Sequence, residues 1–217
     1  MRPDRPHGPR MLGRLAPDRL GGVLLGASVL VFLAGSGWVL ADPATSYSWW
    51  HNMFSDLGRT TCQPSDGRWV CAPRHAAFNA ALIASGLLMA AGAALLARRW
   101  GWALTAGIGG TAAGLVILGT FPSDVAPRIH LAGAVLTLPV PAAGWLLSAL
   151  RPLRARCRAS TPAPVRASLG AGALLLNLVH LVPQTELMPR GAAEVLALSI
   201  VVALLLFESY AAAGARR

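Results

Sequence analysis

Ionisable side chains at membrane depth are costly, so each one found there is a first suggestion of chemistry. In this sequence they gather at the ends of apolar runs. His75 directly precedes one such run, and Asn79 follows it by one helical turn on the same face. His130 opens another run, Asn177 and His180 share a face near the end of a third, and Glu194 lies in the first turns of a fourth. Asp124 falls in a short connection, and Ser55 and Asp56 lie in the longest one. His, Asp and Glu are the ligand types of a catalytic zinc, which takes three protein ligands and keeps one position open for water. Such an ion lowers the pKa of its water to about 7 and could deliver hydroxide to an ester or amide. On this reading Asp56, His75, Asp124, His130 and Glu194 form a catalytic cluster, with Ser55, Asn79, Asn177 and His180 as secondary members. His75, His130 and Glu194 would be the metal ligands, zinc the ion, and a membrane lipid the substrate. No HExxH-type pair places two ligands on one helix, and no GxSxG elbow supports Ser55 as a nucleophile.

These residues need elements to position them, and composition says which. The chain has 217 residues, 54% hydrophobic and 13% charged, with a mean hydropathy of +0.53. Soluble domains carry about a quarter charged residues, so the composition points away from an ordinary water-soluble fold. A bilayer core needs about 20 mostly apolar residues per helix. Six segments qualify: Leu20–Ala41, Ala76–Ala97, Trp102–Phe121, His130–Leu150, Ala167–Val182 and Gly191–Ala211. The expected fold is an all-α, polytopic bundle of six transmembrane helices (residues 20–211), preceded by an Arg-rich arm (1–19) and followed by a short tail (212–217). Gly22/Gly26 and Gly110/Gly114 give two of the helices small-residue faces for close packing.

All 19 basic residues are arginine. Arg2, Arg5, Arg10, Arg14 and Arg19, the Arg98–Arg99 pair, the group from Arg151 to Arg166, and Arg216–Arg217 alternate with connections poor in arginine. The positive-inside rule then puts both termini in the cytoplasm of a cell-membrane protein. The net charge of +10 reads as topology and attraction to anionic lipid. Basic residues split among membrane-proximal pieces without interleaved aromatics exclude nucleic acid as a partner. Cys62 and Cys71 lie in the outer loop 42–75, on the side where disulfides persist, with turn formers between them. Cys157 is left as a free cytoplasmic thiol.

With these residues placed, the chain resembles the DUF998 family of bacterial and archaeal membrane proteins of unknown function. The resemblance rests on Asn52-x-x-Ser55-Asp56-Leu57-Gly58, His75-x-x-Phe78-Asn79, Gly119-x-Phe121-Pro122-x-Asp124 with His130, and Gly191-x-x-Glu194. It implies six spans. An Arg often follows the acid of the last motif in that family, whereas Val195 stands here. Three functions follow as expectations. The first is an outer-leaflet site that binds or processes a lipid-like molecule. The second is a non-enzymatic module that engages a membrane-protein partner, and the third a small transporter relaying protons through Glu194 and Glu208.

Overall fold

The structure is a computed structural model and describes residues 17–65, 67–150, 157–181 and 188–214. The Arg-rich arm to residue 16, the arginines at 151, 154 and 156, and those at 216 and 217 lie outside the described residues. So does the side chain of His180. The chain is mostly helical, and its long apolar helices are those of a membrane protein.

Helix α1 (Pro17–Leu40) starts on a proline, which is tolerated where the first N–H groups have no intrahelical acceptor. The outer loop follows. It contains a 3-10 turn (Phe54–Gly58) and a hairpin of β1 (Gln63–Ser65) and β2 (Arg68–Val70), paired antiparallel from Gln63↔Val70 to Ser65↔Arg68. Gly67 turns it at φ 76°, a conformation open to glycine without steric penalty. The expected Cys62–Cys71 disulfide closes the hairpin at its base.

Helix α2 (His75–Thr120) has 46 residues. At about 1.5 Å per residue it would be roughly 69 Å long, twice a bilayer core. It does not run straight. Gly101 has φ 72° and ψ 172°, and beyond it the chain folds back. Gly86 then lies against Ala112 and Val116, and Gly119 against the Asn79 carbonyl and Leu82. The two halves are therefore antiparallel neighbours, at the boundary that Arg98–Arg99 marks in the sequence.

Helices α3 (Pro127–Thr137) and α4 (Pro139–Ala149) share one apolar stretch, interrupted only at Leu138. Pro139 supplies the reason: it has no N–H for the helical ladder and crowds the residue before it. α5 (Ala163–Leu181) starts four residues before the expected span. α6 (Arg190–Gly214) closes the bundle. Among the described residues four stretches are long and apolar enough to cross a membrane: α1, α2, the α3–α4 pair and α6; α5 is shorter.

The small-residue faces do what their spacing suggests. Gly22 and Gly26 bring α1 onto Ser209 of α6, and Gly110 and Gly114 bring α2 onto Val140 and Thr137. Leu25, Leu96, Trp100, Leu104 and Trp145 fill the core between them. Ser28 and Ser85 hydrogen-bond across α1 and α2 at 3.0 Å, which satisfies two hydroxyls that hydrocarbon would otherwise strand. Among the described residues the charged side chains are left at the two ends of the bundle.

Candidate functional site

At the outer end the 3-10 turn is the hub. Its first N–H donors are those of Phe54 and Ser55, and both reach the Glu194 carboxyl group, the Phe54 bond being 2.6 Å. Glu194 is buried, so a carboxylate on α6 caps a turn formed 140 positions earlier. Asp56, inside the turn, accepts the Met53 N–H at 2.9 Å and the Arg68 guanidinium at 3.1 Å. The hairpin register puts Arg68 there, and the sequence alone gave no pairing signal for it. Asn79 donates to the Gly58 carbonyl at 2.9 Å and holds the other end of the turn. Asp124 accepts four hydrogen bonds on one oxygen, from the N–H and hydroxyl of both Thr60 and Thr61, at 2.8–3.1 Å.

The histidines are divided. His75 turns Nδ1 to the Ala72 carbonyl at 3.1 Å, in the loop that leads into its own helix. His130 donates from Nδ1 to the Phe121 carbonyl at 2.9 Å. That bond fixes the tautomer and leaves the buried Nε2 without a partner. Asp56, Asp124 and Arg59 are its electrostatic neighbours. Asn177 is buried in α5, and neither atom of its carboxamide has a hydrogen-bond partner. Ser55 lines a cavity of ≈ 40 Å³ beneath the turn, with Phe32, Phe78, Leu198 and Glu194. Among the described residues no three His, Cys, Asp or Glu side chains are grouped to hold a metal ion. The three expected ligands stay apart because His75 faces a carbonyl, Glu194 faces the turn and His130 faces the α2–α3 connection.

Two further residues belong to this end. The Tyr47 hydroxyl is buried without a partner, and burial, then the charges of Glu194 and Asp56, push its pKa upward. Partial burial works to raise the Asp124 carboxyl, but the hydrogen bonds from Thr60 and Thr61 outweigh it and hold the group below its usual value. A depressed carboxyl contributes stability above its unfolded pKa and loses it as pH falls through the folded one. Amide exchange at Thr60 and Thr61 is therefore expected to stay slow at neutral pH and accelerate only below about pH 4. In Asp124→Asn that acid-dependent step should vanish; an unchanged step would show that another group controls the contact.

The inner end mirrors the outer one. Glu208 is fully buried and accepts the Ser160 N–H at 3.0 Å, the Thr161 N–H at 2.6 Å and hydroxyl at 2.8 Å, and the Trp100 indole at 3.2 Å. Arg166 donates to the Thr161 and Ser148 carbonyls in the same place. Both glutamates of α6 thus fasten connections to the bundle.

A cleft also opens among the described residues. At the inner end α1 and α6 touch, with the Ser209 hydroxyl on the Gly22 carbonyl at 2.9 Å. Toward the outer end a cleft of ≈ 410 Å³ lies between them, walled by Leu33, Gly37, Leu40, Val195 and Val202 and bounded by Trp49 and Phe54 of the outer loop. Its two serines, Ser36 and Ser199, direct their hydroxyls to carbonyls of their own helices at 2.7 Å. The walls offered to an occupant are apolar.

A family model described as "Protein of unknown function (DUF998)" matches residues 27–208, from the middle of α1 almost to the end of α6. No curated protein and no solved structure matches the chain.

Proposed function

The chain belongs to the DUF998 family, and from that premise we propose a cell-membrane protein that binds an outer-leaflet lipid. The two halves of α2, the joined α3–α4 and the other three helices make six spans on this reading, with both termini cytoplasmic. The arginine distribution supports that orientation. The outer loop, 3-10 turn and α6 N-terminus then face the extracytoplasmic side.

The observation that carries the function is the cleft between α1 and α6. Its apolar walls run from the core of the outer leaflet to an exposed tryptophan, the residue type that sits at the membrane–water interface. An acyl chain matches a cleft of this lining. Binding is favoured over hydrolysis because Glu194, Asp56 and Asp124 already hold backbone N–H groups. The same engagement weighs against a relay of protons through Glu194 and Glu208. A membrane-protein partner whose helix enters the cleft is the second reading.

Ser199→Trp would place an indole in the cleft from an exposed position on its wall. Native mass spectrometry of the full chain released from lipid nanodiscs is expected to show retained phospholipid on the wild type and its loss in the variant. Leu175→Trp, on an exposed face of α5, should retain it. Equal retention in Ser199→Trp and the wild type would overturn the lipid reading.

A further inference from the structure

The cleft between α1 and α6 has an inner wall with space behind it. The cavity of ≈ 40 Å³ beneath the 3-10 turn lies there, and so does one of ≈ 20 Å³ deeper in the bundle, bordered by Val29, Met89 and Leu205. Phe32 of α1 and Leu198 of α6 line the cleft and both cavities. These two side chains therefore stand as a partition between the cleft and the interior space. The partition is braced from the outer end. The Phe32 ring meets that of Phe54 at 5.5 Å between centroids, and Phe54 meets Phe78 at 5.8 Å. Phe54 is itself fixed by its N–H bond to Glu194. The space behind the wall suits hydrocarbon, because the hydroxyls of Ser85, Thr111 and Thr137 that border it donate to backbone carbonyls at 2.8–3.2 Å.

We propose that Phe32 and Leu198 make the cleft selective for unbranched acyl chains. The inference rests on the lipid reading of the cleft and adds the chain class to it. A straight chain lies along the cleft without entering the wall. A chain branched at several carbons cannot turn every methyl group away from it. Such a branch would push into Phe32 or Leu198, and side chains packed at core density yield little. The room that a branch needs lies behind them.

The test uses the full chain equilibrated with an equal mixture of dipalmitoyl and diphytanoyl phosphatidylcholine, with bound lipid counted by native mass spectrometry. The two lipids share a headgroup and a main-chain length and differ in methyl branches. A methyl group that a hydrophobic pocket does not accommodate changes affinity about tenfold or more, so the wild type should retain the straight-chain lipid about tenfold over the branched one. Phe32→Ala joins the cleft to the cavities and should bring the ratio close to parity. Leu198→Ala opens the wall from the α6 side and should lower the ratio as well, which keeps the test decisive if Phe32→Ala fails to fold. Leu33→Ala, at an exposed residue that lines the cleft and neither cavity, should leave the ratio unchanged. A wild type without preference overturns the assignment. So does a folded Phe32→Ala or a Leu198→Ala variant that keeps the preference, or a Leu33→Ala variant that loses it. In that event, lipid loss in Ser199→Trp would still support the cleft. Retention in Ser199→Trp removes the cleft itself, and the two failures are thereby told apart.

Discussion

Glu208→Ala is expected to destabilise the fold by about 3–5 kcal/mol, the range for breaking a buried charged network by removing one member. The side chain is inaccessible to solvent, and its two oxygens accept four hydrogen bonds. Three of those donors belong to Ser160 and Thr161, just ahead of α5; the fourth is Trp100, next to the Gly101 reversal of α2. Alanine would strand the three buried donors of Trp100 and Thr161 and leave the part-buried Ser160 amide to find water. Each buried unmet donor costs about 1–3 kcal/mol, so the network figure sits at the low end of their sum, as fits a part-buried Ser160 amide that can rehydrate. Glu208→Gln keeps the volume but turns one acceptor into a donor facing other donors, so it should recover less than half of the loss. Trp100→Phe removes one neutral donor and should cost only about 1 kcal/mol through hydrogen bonding. Thermal unfolding in detergent, followed by circular dichroism, ranks the three. An Glu208→Ala variant as stable as the wild type would mean that the inner connection is held by other contacts.

The apolar stretches were readable in the sequence because hydrocarbon leaves few alternatives to a complete helix. The α2 reversal could be located from Arg98–Arg99, although the residue that turns it, Gly101, drew no attention among 23 glycines. That Asp56, Asn79, Asp124 and Glu194 lie beside the ends of apolar runs was readable because acids and amides there are few. Their roles were not. Glu194, Asp56 and Asp124 have the composition of a ligand set, yet each accepts from backbone N–H groups of an irregular loop. Such donors carry no side-chain identity and no periodicity, so a sequence pattern does not reveal where they point. Arg68 shows the same limit, since its approach to Asp56 depends on the register of a three-residue strand pair. Val195 is a different case. The basic residue expected after Glu194 is missing, and Val195 lines the cleft instead. Arg190, one turn earlier, is the cation in the electrostatic neighbourhood of Glu194.

Glu194→Ala should have a comparably large but local effect. Leaving a buried N–H donor unmet costs about 1–3 kcal/mol, and the Phe54 and Ser55 amides share this one carboxyl group. The loss therefore falls on the 3-10 turn, at about 2–4 kcal/mol after partial hydration of the freed amides. It should not spread through the bundle. The disulfide, the Asp56–Arg68 pair, the Asn79 bond to Gly58 and the Asp124 bonds to Thr60 and Thr61 still tie the loop down. Hydrogen exchange is accordingly expected to accelerate at residues 54–58 while α1 and α2 stay protected. Glu194→Gln keeps one acceptor oxygen and should keep most of the protection, which separates a holding role from a chemical one. A carboxylate needed for proton transfer would lose function on becoming an amide even with the turn in place. Because Phe54 borders the cleft as well as the turn, lipid retention should fall in Glu194→Ala and persist in Glu194→Gln. Loss of retention in both variants, with residues 54–58 still protected in Glu194→Gln, would make the charge itself the functional group.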